Sequence, residues 1–298
     1  MAERFDRQAE EHAADLRHQG EDVAAGYPAL LAEAQRIAAT VAQGVHGRRR
    51  AGVGETFWQY RHHRPEDDAA QVDWRRSAKT DQLYVRQNEW EAANTVWLWR
   101  DGSPGMSFSS RRGAPKKRDR AAVCLIALTA LLTAARERVA VLGESLAPRT
   151  GAVGMERVSR RLALGAGGME AVEAPSLARH GRVVLASDFL DPPETWAARL
   201  NRFSALECRG VLLRIIDPAE EAFPYAGRVR FEAPSGGDSL LFGRAEEARK
   251  VYRQRWDRQG EALDALARRA GWTVVTHRTD RPATDALLAL YTALAGEV

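Results

Sequence analysis

Thr95-Val96-Trp97-Leu98-Trp99-Arg100-Asp101-Gly102-Ser103-Pro104-Gly105 is the stretch on which the fold turns. Residues 95–99 are β-branched, aromatic or aliphatic and read as a short buried strand. The Asp-Gly-Ser-Pro-Gly that follows reads as the tight polar loop that ends it. The same grammar returns at 183–186, another buried strand, which runs into Ser187-Asp188. Between and beyond these two, the spacing predicts helices at 116–136, 154–164, 195–206, 245–270 and 285–294. Strands are expected at 139–142, 211–216 and 272–276. Strand and helix alternate from residue 95 to the end. That predicts an α/β fold, a doubly wound and mostly parallel sheet with helices on both faces. Residues 217–242 interrupt the rhythm, and the alternation at 227–231 with Gly236-Gly237 predicts an inserted hairpin.

Upstream, Tyr27, Leu30, Leu31, Ala34 and Ile37 recur at helical spacing, so residues 1–43 read as a helical N-terminal arm. Residues 44–54 read as a basic loop around Arg48, Arg49 and Arg50. Strand-like pieces follow at 56–61 and 83–85, and the polar segment 62–81 between them is expected to be mostly irregular. Three parts result: the arm 1–43, a motif-rich segment 44–90 packed on the sheet domain, and the sheet domain 91–298.

Composition removes several classes of function. Of 298 residues 45% are apolar and 28% charged, enough to bury a core without metal or disulfide staples. Cys124 and Cys208, in or beside apolar runs, have neither disulfide-scaffold nor zinc-knuckle spacing. Residues 1–15 are dense in charge and lack the apolar core of an export signal, so a cytoplasmic location is expected. The uncharged run 121–135 is shorter than the roughly 20 residues a spanning helix needs, and membrane insertion is not expected. A net charge of +4 over this length does not argue for nucleic acid. No phosphate loop, no G-x-S-x-G and no Cys–His pairing is present, and an enzyme is not expected.

Three clusters remain. Asp101, Ser103 and Asp188 sit where two strands end, and ligands of such sheets bind at the carboxyl ends of strands. Two carboxylates and a hydroxyl suit a hard divalent cation, although aspartate is also a common cap of turns and helices. His62, His63, Asp67, Asp68 and Asp73 lack metal-site spacing. The simpler role of Asp73, Trp74, Arg75 and Lys79 is to anchor their segment by charge-assisted hydrogen bonds. Arg48–Arg50 with Arg111, Arg112, Lys116, Lys117 and Arg118 reads as a solvated basic face. The alternative for it is an anion or nucleic-acid binder.

Several motifs together resemble a known family. They are Gly44-x-His46, the arginine triplet, Gly52-x-Gly54, Phe57, Tyr60-Arg61, Asp67-Asp68, Val72-Asp73-Trp74-Arg75, Ser77-Ala78-Lys79 and Leu83-Tyr84-Val85-Arg86 with Glu89 and Glu91. Further along come Ser187-Asp188-Phe189-Leu190-Asp191, Asp217-Pro218-x-Glu220, Pro224, Gly227 and Thr279-Asp280. From about residue 34 to the end the chain resembles a bacterial domain-of-unknown-function family, number fifty-eight. That family is related to the von Willebrand factor A domain and typically encoded beside MoxR-type AAA+ ATPases.

The resemblance implies a von Willebrand A-like sheet with a metal-ion-dependent adhesion site. Such a site consists of an Asp-x-Ser-x-Ser loop, a threonine from a second loop and an aspartate from a third. Carried over by position, the ligands to Mg²⁺ or Mn²⁺ are Asp101, Ser103, Thr150 and Asp188, with Gly105 standing where the second serine belongs. Ser107 lies two residues too far along to replace it. The implied function is a non-catalytic protein-binding module, an adaptor working with a MoxR-type AAA+ ATPase and an unknown protein client. The alternative from another class is a metal-dependent hydrolase using the same carboxylates to activate water.

Overall fold

Near-continuous burial along the strands of the central sheet, on both of its faces, sets the layers of this protein. A computed structural model describes Ala14 and residues 51–52, 56–62, 77, 82–89, 95–145, 147–164, 169–173, 177 and 179–295. The expected N-terminal arm and the Arg48–Arg50 triplet lie outside them. The chain divides into two units, one formed by Ala38–Ala93 and one containing Asn94–Glu297.

In the first unit, β1 (Ala51–Gly52), β2 (Thr56–His62) and β3 (Tyr84–Glu89) form an antiparallel sheet in the order β1-β3-β2. The pairing of β2 with β3 carries one irregularity between Phe57 and Gln59. Local spacing places Ala51 and Gly52 in a loop. They are a strand because Glu89 and Asn88 of β3 pair with them, a long-range partner that local spacing does not reveal.

The second unit holds β4 (Thr95–Arg100), β5 (Arg138–Val141), β6 (Arg182–Ser187), β7 (Arg209–Ile216), the hairpin β8 (Val229–Glu232) and β9 (Ser239–Phe242), and β10 (Thr273–Arg278). Its helices are α1 (Lys117–Ala134), α2 (Gly151–Leu164), α3 (Glu170–Glu173), α4 (Pro193–Ala205), α5 (Pro218–Ala222), α6 (Ala245–Ala270) and α7 (Ala283–Ala295). Five strands form one parallel sheet in the order β10-β7-β6-β4-β5. Val96, Leu98, Val184, Ala186, Leu213 and Ile215 turn to one face, where they meet buried residues of α1, α2 and α7. Their neighbours Trp97, Trp99, Val183, Leu185 and Leu212 turn to the other, against α4 and α6. A one-residue slip would exchange these faces, so the register is fixed by burial on both sides.

This is the expected α/β architecture. α1 is buried around nearly its whole circumference because it packs against the sheet, α2 and α7. α6 ends at Gly271, whose φ of 70° suits a glycine C-cap. Besides β1, three described elements are not evident from the sequence: α3, the five-residue α5 and a 3₁₀ turn at Pro104–Ser107 inside the first polar loop. β10 extends past residue 276, so His277, expected just beyond the last strand, lies within it and is buried.

The topology singles out one place. β4 is the first strand of the sheet, yet it lies between β5 and β6, so the chain winds off it in both directions. The crevice at such a reversal opens at the carboxyl ends of the two strands, here β4 and β6.

Candidate functional site

Asp101 directly follows β4, and Ser187-Asp188 close β6, so the reversal point gathers both strand-end aspartates. All three side chains are buried. Asp101 accepts hydrogen bonds at Oδ1 from the Ser103 backbone N–H (2.7 Å) and at Oδ2 from the Ser187 hydroxyl (2.6 Å). Ser187 Oγ in turn accepts from the Phe189 N–H at 3.1 Å. Phe189 holds a left-handed φ of 53°, which a bulky residue adopts only when its surroundings fix it. Its ring packs 4.6 Å from Trp196, and its carbonyl accepts from Gln259 Nε2.

A residue counted with the solvated basic face completes the cluster. Lys117, the first residue of α1, is buried, 1% exposed, while Lys116 and Arg118 on either side are exposed. Its ammonium donates to Asp188 Oδ2 at 2.8 Å and to Glu220 Oε1 at 2.5 Å. Burial alone would push the Lys117 pKa down, but the two carboxylates outweigh it and the net direction is up. Lys117 therefore carries its charge. Glu220 moves up from the ordinary carboxylate range because burial outweighs the pull of Lys117.

Glu220 reaches this point through a capping box. Asp217 caps α5 by accepting from the Ala219 N–H at 2.9 Å, and Glu220 Oε2 accepts from the Asp217 N–H at 2.8 Å. The other oxygen of Asp217 accepts from the Ser110 N–H at 3.0 Å, tying α5 to the loop after β4.

Above the cluster opens a cleft of about 780 Å³, with Gly105, Lys117, Asp188 and Glu220 at its base. The hairpin contributes Phe231, Leu240 and Phe242, and α6 contributes Val251 and Tyr252. Phe223 ties the walls together, its ring 4.6 Å from Tyr252 and 5.8 Å from Phe231. The Tyr252 hydroxyl donates to the Glu220 carbonyl at 2.7 Å, and burial pushes its pKa upward. Leu190, Leu240 and Val251 line this cleft and are among the few large apolar side chains that the described surface exposes.

Of the residues expected to hold a divalent cation, Asp101, Ser103 and Asp188 come together and Thr150 does not. Arg149, its neighbour, pairs with Val139 near the start of β5. Val139 lies level with Val96, five residues before Asp101. At about 3.3 Å per residue that places Thr150 toward the opposite end of the sheet. Ser107 accepts from Arg118 Nη1 and does not stand in for the missing serine. Arg100, next to Asp101 in sequence, donates through Nε to the Leu162 carbonyl instead of pairing with that aspartate.

The donor set does not fit a resident divalent ion. Each carboxylate oxygen of Asp101, Asp188, Asp217 and Glu220 already accepts from an N–H, an O–H or the Lys117 ammonium. Among the described residues no group of three or more His, Cys, Asp or Glu is arranged to hold a metal.

Residues 59–262 match the model of a family described as protein of unknown function DUF58. The chain belongs to the DUF58 family. Its relatives include the uncharacterized protein Rv1480 of Mycobacterium tuberculosis (strain ATCC 25618 / H37Rv), 27% identical over 251 residues covering 77% of this chain and 76% of the relative. The uncharacterized protein Mb1516 of Mycobacterium bovis matches to the same extent. Among solved structures, BatB from Bacteroides thetaiotaomicron aligns with a TM-score of 0.42 at 12% identity, covering 69% of this chain and all of that one. An aerotolerance-related membrane protein from Bacteroides fragilis NCTC 9343 aligns at 0.41 and 11% identity, with the same coverage. Among the described residues of this DUF58 chain, no helix is long and apolar enough to cross a membrane.

The sequence reading quoted Glu220 only as part of a turn and left Lys117 in a basic run. One signal sets the pair Lys116-Lys117 apart from the surrounding arginines, without choosing between the two. The chain has 44 basic residues, yet lysine occurs only at Lys79, Lys116, Lys117 and Lys250, so a lysine is here the exception to an arginine habit.

Proposed function

We propose that this DUF58 chain is a non-catalytic adaptor on a von Willebrand A-like sheet. In this reading it engages a MoxR-type AAA+ ATPase through the cleft at the carboxyl ends of β4 and β6. The observation that carries the reading is the cleft itself, an aromatic-walled groove at the topological reversal, rimmed by exposed Leu190, Leu240 and Val251. Apolar side chains clustered in this way, and not scattered singly, mark a surface that another protein covers. Aromatic walls give an inserted apolar segment a large desolvated contact. The expected occupant is an apolar segment of the ATPase, and the hairpin and α6 supply the two sides that grip it. Residues on the buried floor set the shape of the groove. The hydrolase reading has no observation of its own among the described residues.

The test is binding of the purified chain to a MoxR-type ATPase from the same genome, measured by biolayer interferometry with and without ATP. Leu240→Glu and Val251→Glu place charge on exposed positions of the cleft and leave the core intact. Saturable binding by the wild type that both variants weaken at least about tenfold supports the proposal. Equal binding by all three, or none in any nucleotide state, overturns it.

A further inference from the structure

We propose that the ε-ammonium of Lys117 is the resident cation of the strand-end site, standing in the place where a von Willebrand A-like sheet would be expected to hold a divalent ion. The inference does not depend on which partner fills the cleft.

Position is the first argument. Lys117 opens an 18-residue helix, where the backbone N–H groups disfavour a positive charge, and it is buried there. Lysine is almost never buried unless paired, and this one has two carboxylates within 2.8 Å. Its third side approaches the Phe108 ring, 5.9 Å from the centroid.

Gly105 supplies an independent argument. A Cβ added there would stand 3.2 Å from Asp188 Oδ2, the same oxygen that accepts from Lys117. A serine at 105 would therefore press on the carboxylate oxygen that holds the ammonium, which would have to give by a few tenths of an ångström. The departure from the Asp-x-Ser-x-Ser pattern and the buried lysine thus meet at one oxygen, Asp188 Oδ2. A hydroxyl ligand is absent from the loop, and an ammonium is supplied from α1. One positive charge is shared between two carboxylates without a metal, and every carboxylate oxygen of the cluster keeps a donor.

The chemical consequence is specific. A divalent ion can leave a coordination position for a partner's carboxylate, whereas an ammonium with two of its three N–H groups on Asp188 and Glu220 and its third side toward the Phe108 ring has no coordination position to share. Recognition at this edge is then independent of divalent cations.

Two measurements on the full-length wild type test this. The first is calorimetric titration with Mn²⁺ and with Mg²⁺ alone. The second is reductive methylation of lysines read by mass spectrometry, repeated with Mn²⁺ present. The expected result is no saturable heat at millimolar metal, and methylation of Lys117 at least about tenfold slower than of exposed Lys116, unchanged by Mn²⁺. One-site Mn²⁺ binding that Asp188→Ala abolishes, or faster methylation of Lys117 when Mn²⁺ is added, overturns the proposal. A third arm vacates the place with the double variant Gly105→Ser/Lys117→Ala. A rise in its melting temperature with Mn²⁺, absent from the wild type, supports the equivalence of ammonium and ion. A folded double variant that ignores Mn²⁺ contradicts it, and if that variant does not fold the two wild-type measurements decide.

Discussion

Removing the Lys117 ammonium would leave Asp188 and Glu220 facing one another below the cleft without their hydrogen-bonded counter-charge, with the buried Arg214 acting on them only through space. Breaking a buried pair by deleting one partner costs about 3–5 kcal/mol, because the surviving charge is stranded. Lys117→Met is expected to lose that much in urea unfolding, while Lys116→Met, one residue away on the exposed side, changes stability by less than about 0.5 kcal/mol. Ser187 carries a second residue-scale prediction. Its hydroxyl donates to Asp101 and accepts from the Phe189 N–H, so Ser187→Ala orphans two buried groups at once. A loss of about 1–3 kcal/mol is expected by the same measurement. Residue types alone made Asp101 and Asp188 legible as a pair, since each follows a buried strand. They did not make Lys117 legible, because a charged residue between two exposed charged residues looks solvated until the loop after β6 and the α5 cap close around it.

At the scale of elements, β6 and β7 approach so closely that only glycine fits at one position. A Cβ on Gly210 would stand 1.9 Å from the Val183 carbonyl oxygen, and backbone cannot yield as a flexible side chain does. Gly210→Ala is expected to destabilise by more than about 3 kcal/mol or to yield no soluble protein, read by thermal unfolding. The five-residue α5 depends on its cap in the same direct way. Asp217→Ala removes both the cap and the bond to Ser110, releasing Glu220 from Lys117. A drop of about 1–2 kcal/mol is expected, with faster methylation of Lys117 as a second readout. Elements of the sheet domain were legible because their apolar periodicity is long and α6 has clear ends. α3, the 3₁₀ turn and β1 were not. Each spans little more than a single period of its pattern, and partners far away in sequence stabilise it.

For the whole molecule, acid is the informative perturbation. His277 is buried on β10 with no hydrogen-bond partner for Nε2 among the described residues, and burial, reinforced by Arg120, lowers its pKa to about 4, against the pull of Asp285 and Asp280. The unfolded chain takes up this proton near pH 6.5 and the folded one only near 4, so between those values the unfolded state binds more protons. Stability should fall as the pH drops through that window, by about 1.4 kcal/mol per unit from this group. His277→Gln is expected to flatten that part of the pH–stability curve, and an unchanged curve would remove His277 as the cause. Sequence by itself determined the α/β class, the order of the sheet elements and the inserted hairpin, because those follow from local periodicity and from turn residues. It also placed Asp101 and Asp188 at strand ends. Tertiary structure alone decided that β4 lies between β5 and β6, that Thr150 falls toward the far end of the sheet, and that Lys117 meets Asp188 and Glu220. The physical reason is that charge pairing and strand order depend on which distant segments share a buried volume. No window along the chain contains both partners of such a contact.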